Sequence, residues 1–457
     1  MSKPLAVVSC PIDTYSGYGA RARDFVKALI DLDKYDVKVL SQRWGNTRFG
    51  YLEDHNEDDL SSRIIPNMTV KPDLWVQITV PNEFQKVGKF NLGVTAGMET
   101  TLVHNTWIEG CNRMDLNLVS SEHSKKTFLD SVYIKEDTKT KQPTGELRLT
   151  SPMEVLLEGA DLTKYFPTTS SLDLSPIKES FCFLFVGHWL NGDFGQDRKN
   201  VGYMIKSFLE TFKNKKDAPA LILKTSQVTT SITDREAVLD KIEQIRQSVK
   251  GTLPNIYLFH GDVSDSEMNE LYNHPKVKAM ISFTKGEGFG RPLLEFSLVN
   301  KPIIASGWSG HVDFLDKEFT NLVSGELTPV HPSAASKDMI LTEAKWFSAD
   351  EAAVGRILKT VHKDYKKFLS LSKRQGHKSR TEFSYEKMVE VLGRTLDQYV
   401  PEFTKQIELN LPKLNRTVVL FVFGRIVLIT WLPPTAPLEQ ALPPEHEIPA
   451  RSKLNNN

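Results

Sequence analysis

Short, nearly continuous runs of apolar residues recur along the chain, and segments with apolar residues at helical spacing lie between them. The runs are residues 5–10, 37–40, 74–80, 92–96, 116–120 and 155–157 in the first part of the chain, and 181–186, 220–223, 256–259, 279–283 and 302–305 in the second. Runs without polar alternation favour strands buried on both faces, as in a parallel sheet. Between the first two runs, Ala22, Phe25, Val26 and Leu29 have the spacing of one helix face. The alternation of strand and helix predicts a doubly wound α/β fold.

The strand and helix pattern stops near residue 168 and restarts near residue 181. Residues 168–178 are polar and rich in Ser and Pro, which is typical of a linker. We therefore predict two Rossmann-like domains, residues 1–170 and 171–383, that face each other across a cleft. Ligands of such sheets bind beyond the carboxyl ends of the strands, so a cleft between two such ends suits a reaction of two substrates.

The composition is that of a globular protein with no net charge. Of the 457 residues, 57 are Lys or Arg and 57 are Asp or Glu, so the chain as a whole lacks the basic excess typical of nucleic-acid-binding proteins. The three cysteines are too few and too scattered for a disulfide framework or a Cys-based zinc site. The N-terminus has no signal-peptide pattern, and we expect a cytoplasmic protein of a bacterial or virus-infected cell.

Two segments near the C-terminus leave alternatives open. Residues 356–380 carry nine Lys or Arg against one acid, which fits either a solvated helix face or an anion-facing patch. Residues 417–432 are strongly apolar but too short to span a membrane, and Gly424 between two β-prone runs favours a hairpin. Residues 401–457 form a C-terminal tail. We expect its Pro-rich end, after Trp431, to be disordered. Contact of this tail with a partner protein or a membrane surface stays open.

A glycine-rich loop follows the first predicted strand. Residues 17–22 read Gly-Tyr-Gly-Ala-Arg-Ala, a pattern similar to a dinucleotide fingerprint. Six residues separate the loop from its strand, however, and the second strand ends without the acid that grips a ribose. We therefore expect the amides near Gly17 and Gly19 to approach a sugar or phosphate, rather than a nicotinamide cofactor.

Two acidic residues flank a second glycine-rich turn in the C-terminal part of the chain. Glu287 and Glu295 are separated by seven residues, and the intervening glycines and proline mark a strand-to-helix turn. The turn places Glu287 in a loop and Glu295 one helical turn later, so both carboxylates point toward the same cleft. Backbone amides there attract phosphate or sugar oxygens, and the carboxylates can accept hydrogen bonds from vicinal hydroxyls. The alternative is two ordinary glutamates near a helix start.

This turn resembles the signature of family 4 retaining glycosyltransferases of the GT-B fold. Several other stretches are similar to the same family in order along the chain. They are residues 16–19, 97–101, 119–124, 158–161 with 166–167, 198–200, and 382–386 at the start of the family's closing helix. The resemblance covers roughly residues 5–400, and it implies that residues 384–400 return to the N-terminal domain.

The resemblance implies a role for each residue of the donor site. Glu295 would bind the ribose hydroxyls of the donor nucleotide, and Glu287 would face the hydroxyls of the donor sugar. The amides of the turn would approach sugar and phosphate. The residues placed with the donor are Gly288, Phe289, Gly290, Gly310, Gly17 and Gly19. Lys199 with Arg198 would hold the diphosphate, and Lys224 is a further candidate, because a departing nucleoside diphosphate needs fixed cations where no metal is bound.

The sequence departs from the family pattern at two positions. The family often has an arginine just after the first strand of the second domain, where this chain has residues 187–189, Gly-His-Trp, followed by an insertion of residues 190–197. Arg198 is our candidate to replace it. The family also often has an acceptor-side histidine, and Glu99 stands at a comparable place. An Asp-x-Asp triplet, typical of metal-dependent transferases, occurs at residues 31–33, but at a predicted helix end.

The resemblance implies a metal-independent, retaining hexosyl- or pentosyltransferase with no cofactor beyond its nucleotide-sugar co-substrate. The first domain would hold the acceptor and the second the donor. We expect a glycan or polysaccharide hydroxyl as acceptor. Two alternatives stay open: a phage-type transferase that acts on hydroxylated pyrimidines in DNA, and a non-catalytic protein that binds sugar nucleotides.

Overall fold

The computed structural model describes residues 3–227 and 229–403, and the backbone of two strands at residues 417–422 and 425–430. The chain divides into two compact units, Met1–Phe403 and Thr404–Asn457. The predicted disorder of the Pro-rich end lies outside the described residues. In the second unit, the two strands pair antiparallel, with Thr417 opposite Thr430 and Val422 opposite Arg425.

The strands and helices are numbered in chain order. The strands are β1 (Leu5–Cys10), β2 (Asp36–Ser41), β3 (Leu74–Ile78), β4 (Phe90–Val94), β5 (Leu116–Val119), β6 (Tyr133–Glu136), β7 (Pro143–Leu147), β8 (Met153–Val155), β9 (Cys182–Val186), β10 (Ala220–Lys224), β11 (Ile256–Phe259), β12 (Val277–Ser282), β13 (Ile303–Ser306), β14 (Asn321–Val323), β15 (Gly325–Pro329), β16 (Lys345–Ala349), β17 (Thr417–Val422) and β18 (Arg425–Thr430). The helices are α1 (Gly17–Asp31), α2 (Tyr51–Asp54), α3 (Asp58–Ser61), α4 (Asn105–Cys111), α5 (Glu122–Asp130), α6 (Val201–Phe212), α7 (Ile232–Gln247), α8 (Asp265–Asn273), α9 (Arg291–Ser297), α10 (Glu351–Lys363), α11 (Tyr365–Glu382) and α12 (Tyr385–Tyr399).

Two six-stranded sheets form the first unit. The first has the strand order β2-β1-β3-β4-β5-β8 and the second the order β11-β10-β9-β12-β13-β14, and every pairing within them is parallel. Helices pack on both faces of each sheet, and the central strands are buried on both sides, as their continuous apolar runs predict. The prediction of a doubly wound parallel architecture is confirmed. We call the first sheet with its helices the N-terminal half, and the second sheet with its helices the C-terminal half.

Helix α12 belongs to the core of the N-terminal half although it comes last in the first unit. Its Leu392 and Leu396 share one buried cluster with Phe25 and Leu29 of α1. The apolar stripes of the two helices face each other, because residues three and four apart lie on one helix face. The chain therefore crosses from the C-terminal half back to the N-terminal half near Ser384. At this point Ser384 forms an isolated parallel β-bridge with Ala160.

In the first unit, two antiparallel hairpins of the described residues lie outside the six-stranded sheets, and the sequence did not predict them. They are formed by β6 with β7 and by β15 with β16. Four of the five residues of β7 are exposed, and so are four of the five of β15. Exposed strands carry no continuous apolar run, and for this reason the pattern that predicts the sheets does not detect them.

The two halves touch at the carboxyl ends of β4 and β12. A Cβ on Gly286 would lie 1.8 Å from the carbonyl oxygen of Glu99, and a Cβ on Gly288 would lie 2.2 Å from that of Ala96. The hydroxyl of Ser120 donates to the carbonyl of Gly288 at 3.1 Å. Because both turn positions lack a side chain, the backbones of the two halves can approach closely at this point.

We expect Gly286→Ala to lower the free energy of unfolding by about 1–3 kcal/mol, because the added methyl group must push the two backbones apart. Urea denaturation measures the change. Gly355→Ala in α10 is the matched control, since its Cβ would meet no atom nearer than 3.4 Å, and alanine favours a helix. Equal stability changes in the two variants would contradict the close approach.

Candidate functional site

The turn between β12 and α9 is fixed by its neighbours. Gly290 has φ +101°, a left-handed conformation that favours glycine, and α9 begins at the next residue. The amide of Glu287 donates to Ser309 Oγ at 2.9 Å, and the amide of Gly310 donates to the carbonyl of Glu287 at 2.9 Å. These bonds hold the backbone on both sides of the Glu287 side chain.

Glu287 pairs with two cations from the start of α6. Its Oε1 lies 2.6 Å from Lys199 Nζ, and its Oε2 lies 3.3 Å from Arg198 Nη1. Arg198 also donates to the carbonyl of Gly286 at 2.9 Å and lies 3.6 Å from Glu99 Oε1. The exposed fractions of the Glu287, Lys199 and Arg198 side chains are 8%, 13% and 16%. The structure thus brings four of the predicted residues, Glu287, Lys199, Arg198 and Glu99, into one group that spans both halves.

The charge of Glu287 is set by its partners. Burial alone would raise the pKa of this carboxyl, but Lys199 and Arg198 outweigh that effect and lower the pKa to about 2. Glu287 is therefore ionised at neutral pH, and it holds both cations at the wall of the cleft. An incoming anion would meet these cations already oriented.

Glu295 lies in a second charged group, around Arg291. Arg291 Nε donates to Glu295 Oε1 at 2.9 Å. The guanidinium also pairs with Asp24 of α1, and its Nη1 lies 3.6 Å from Glu158 Oε2. Burial raises the pKa of Glu295 to about 7, although Arg291 acts against the shift. The sequence predicted Glu295 as a site residue but not the arginine that holds it.

A cavity of about 530 Å³ lies between the halves and joins the two charged groups. Its lining includes every predicted site residue except Gly19 and Gly310. Gly19 lies at the first turn of α1, where its amide donates to Ser16 Oγ. Gly310 lies behind the turn, because a Cβ there would come within 2.1 Å of the Gly288 carbonyl oxygen. These two glycines therefore support the cavity wall and do not line it.

Lys224 and His188 line the cavity beside the cations. Lys224 Nζ donates to the carbonyl of Gly261 at 2.6 Å, and burial lowers the pKa of the lysine. His188 stands where the resemblance leads one to expect an arginine. Burial lowers its pKa, and Lys199 and Lys224 lower it further, so the imidazole is neutral at pH 7.

Several residues of the cavity were missed by the sequence analysis. In the N-terminal half, the rings of Tyr18 and Trp44 stack with centroids 4.0 Å apart, and both line the cavity with Glu158. In the C-terminal half, Tyr272 and Arg291 contribute. Trp44 and His188 each follow the carboxyl end of a parallel strand, and that position is a signal that could have found them.

Within the described residues, no group of three or more His, Cys, Asp or Glu side chains could hold a metal ion. None of the helices in that part of the chain has both the length and the hydropathy that a membrane span requires.

Solved structures resemble this one over most of the chain. A glycosyltransferase from Rickettsia africae superposes with a TM-score of 0.57 at 12% identity, covering 87% of this chain and 98% of that one. A sucrose-phosphate synthase from Thermosynechococcus elongatus gives the same values. Anabaena HepE, solved with UDP and glucose, gives a TM-score of 0.54 at 12% identity, covering 86% of this chain and all of that one. No protein-family model matches the sequence, and no curated protein matches it.

These likenesses identify the architecture. The two parallel six-stranded sheets correspond to the two Rossmann-like domains of the GT-B fold, so the predicted fold class is confirmed. At such low identity a likeness shows the fold alone. Membership of family 4 and the roles of the site residues stay predictions.

We expect Glu287→Gln to lower the free energy of unfolding at pH 7 by about 3 kcal/mol, because it leaves Lys199 without a carboxylate and Arg198 with only the more distant Glu99. The pKa of Glu287 is depressed, so its contribution is complete above pH 4.5 and is lost as the pH falls toward 2. Urea denaturation at pH 7 and at pH 3 should therefore show a smaller difference from wild type at the lower pH.

Asp130→Asn is the control for this prediction. Asp130 pairs with Lys126 on the exposed face of α5, and an exposed pair contributes little to stability. We expect no change from wild type. A Glu287→Gln variant as stable as Asp130→Asn at pH 7 would contradict the buried ion pair.

Proposed function

We propose that this protein is a glycosyltransferase that moves a sugar from a nucleotide-sugar donor to an acceptor hydroxyl, with retention of the anomeric configuration and without a metal ion. The observation that carries the proposal is that Glu287 and Glu295, on either side of one glycine turn, line a cavity together with Arg198 and Lys199. Sugar and ribose hydroxyls suit the carboxylates, and a diphosphate suits the cations.

The cationic end of the cavity would take the diphosphate. Arg198, Lys199 and Lys224 all line it, and each is fixed by a hydrogen bond to Glu287 or to a backbone carbonyl. Cations that are already oriented stabilise the charge that develops on a leaving phosphate, without reorganisation during the reaction. This arrangement supports a leaving-group site that needs no divalent ion.

Glu287 would contact the donor sugar, and Glu99 the acceptor. The Glu99 side chain is 28% exposed and comes from the N-terminal half, opposite the turn that carries Glu287. The acceptor oxygen would attack the anomeric carbon on the face from which the phosphate departs. The bond from that carbon to the phosphate oxygen breaks, and the acceptor proton passes to the departing oxygen. This course gives retention without a protein nucleophile.

The ligands and activities stated for the structural relatives guide the choice of substrates to test. HepE has been solved with UDP and with UDP-glucose, and WaaG is a glycosyltransferase involved in lipopolysaccharide biosynthesis. We therefore propose a glycan hydroxyl as acceptor, and UDP as the first nucleotide to examine. The cytoplasmic location and a contact through the tail remain proposals of ours from the sequence alone.

Measurements on two variants test the assigned roles. We expect Glu295→Gln to weaken binding of the nucleoside diphosphate by about tenfold, because an ionised carboxylate is lost from the ribose hydroxyls. Wild-type affinity should also rise as the pH increases through about 7, where Glu295 ionises, and this dependence should be weaker in the variant, in which the terminal phosphate of the nucleotide still titrates at about pH 6. Calorimetry with UDP, GDP and ADP measures both effects.

Glu287→Ala should lower kcat by on the order of a hundredfold while changing nucleoside diphosphate affinity less. Transfer of a labelled sugar should be measured at a temperature at which circular dichroism shows the variant folded. Glu243→Gln, an exposed substitution on α7, is the control and should behave as wild type. Wild-type rates in both site variants would refute the assignment. A wild-type protein that binds a sugar nucleotide but transfers nothing would instead be a binding protein.

A second candidate acceptor is a hydroxylated base in DNA, and a basic surface on α10 and α11 favours it. Seven lysines and arginines there are exposed, and none lies within 4.0 Å of a carboxylate oxygen of the described residues. They are Arg356, Lys359, Lys363, Lys366, Lys367, Lys373 and Arg374. Such a surface can neutralise phosphates despite the zero net charge of the chain.

Salt dependence of DNA binding separates the two acceptors. If DNA is the acceptor, log Kd should rise steeply and linearly with log salt concentration, and Lys366→Gln with Lys367→Gln should reduce the slope by about two. Fluorescence anisotropy with a labelled duplex measures both. A shallow slope that the double substitution leaves unchanged would reject DNA and leave the glycan acceptor.

A further inference from the structure

Arg291 links the two halves at the ribose end of the cavity. It is the first residue of α9 in the C-terminal half, whereas its partner Asp24 lies on α1 in the N-terminal half and Glu158 follows β8. The exposed fractions of the Arg291, Asp24 and Glu158 side chains are 25%, 19% and 10%. An ion pair shielded to this degree is screened much less than one on the surface.

One guanidinium serves three carboxylates. In the described part of the chain, Arg291 is the single cation within 4.0 Å of a carboxylate oxygen of Asp24, Glu158 or Glu295. The nearby Arg21 is fully buried and instead donates to the carbonyls of Leu156 and Leu157. Removing Arg291 would therefore leave three shielded carboxylates unpaired, which is costly.

Different atoms of the Arg291 guanidinium contact residues of different halves. Its Nε holds Glu295 of the same helix, whereas its Nη1 contacts Asp24 and Glu158 across the cleft. Separation of the halves would leave Arg291 with Glu295 alone. The planar fork of arginine fixes these directions relative to one another, so the orientation of Glu295 and the contact between the halves depend on the same group.

We propose that Arg291 is a positioning residue that couples nucleotide binding at Glu295 to closure of the two halves. This inference rests on the proposed function for the identity of the ligand. A ribose that binds to Glu295 stabilises the present orientation of the Glu295 side chain. Because Arg291 holds Glu295 in that orientation, ribose binding also favours the orientation of Arg291 that reaches Asp24. Coupling of this kind is reciprocal, so closure must in turn strengthen nucleotide binding.

Hydrogen exchange tests the link without any nucleotide. The amides of Thr101 and Glu122 donate across the cleft, to the carbonyl of Lys345 at 2.9 Å and to Asp313 Oδ2 at 2.8 Å. We expect exchange at both amides to be about tenfold faster in Asp24→Asn and in Arg291→Leu. The double variant should be no faster than Arg291→Leu alone, because removal of Arg291 already breaks its pair with Asp24.

Two controls separate this role from a general loss of stability. Amides inside β9, whose partners lie within the C-terminal half, should exchange at the wild-type rate in every variant. Arg48→Gln removes an exposed cation that pairs with Asp262 across the cleft at 3.4 Å, and it should change nothing. The proposal is overturned if Thr101 and Glu122 are unaffected, if β9 accelerates with them, or if the two substitutions add.

Calorimetry with UDP, and with GDP and ADP, tests the coupling itself. Asp24 does not line the cavity, yet Asp24→Asn should weaken nucleotide binding at least fivefold, within the usual range for linked sites. Unchanged affinity would overturn the coupling. If the wild-type protein binds none of the three nucleotides, the proposed function fails, and the exchange experiment still decides whether Arg291 ties the halves together.

Discussion

Glu287 must remain paired with two cations at the point where the two halves of the protein touch, and the arrangement of the cleft depends on that pairing. The carboxylate is nearly buried, and Lys199 and Arg198 are the main groups that keep it ionised against the cost of burial. Both cations precede α6, and the turn that carries Glu287 is held by Ser309 and Gly310. The turn after β12, the residues before α6 and the glycine contacts between the halves thus all lie at this one ion group.

The cleft combines this ion group, in which cations and carboxylates are equal in number, with a second group that has an excess of carboxylates. Around Glu287 two cations face two carboxylates, whereas around Arg291 one cation faces three. A ligand with a diphosphate at one end and hydroxyl groups at the other matches this difference. The stacked rings of Tyr18 and Trp44 add a flat apolar wall on the side of the N-terminal half.

The sequence predicts features that depend on neighbouring residues well, and contacts between residues far apart in the chain poorly. Continuous apolar runs predict both parallel sheets, and the spacing of Glu287 and Glu295 predicts their common turn, because these signals lie within a few residues. Arg291 and Asp24 are 267 residues apart, and no local pattern indicates that they meet. Trp44 and His188 lie just beyond predicted strand ends, a signal that the sequence offers, but only the folded chain shows that both line one cavity.

A crystal structure with a bound nucleoside diphosphate tests the central claim most directly, that the glycine turn and its two charged groups hold an activated sugar. The account predicts the diphosphate against Lys199 and Arg198, the ribose hydroxyls against Glu295, and Glu287, still paired with both cations, beside the place of the transferred sugar. Nucleotide bound elsewhere on the protein, with the turn between Glu287 and Glu295 unoccupied, would contradict it.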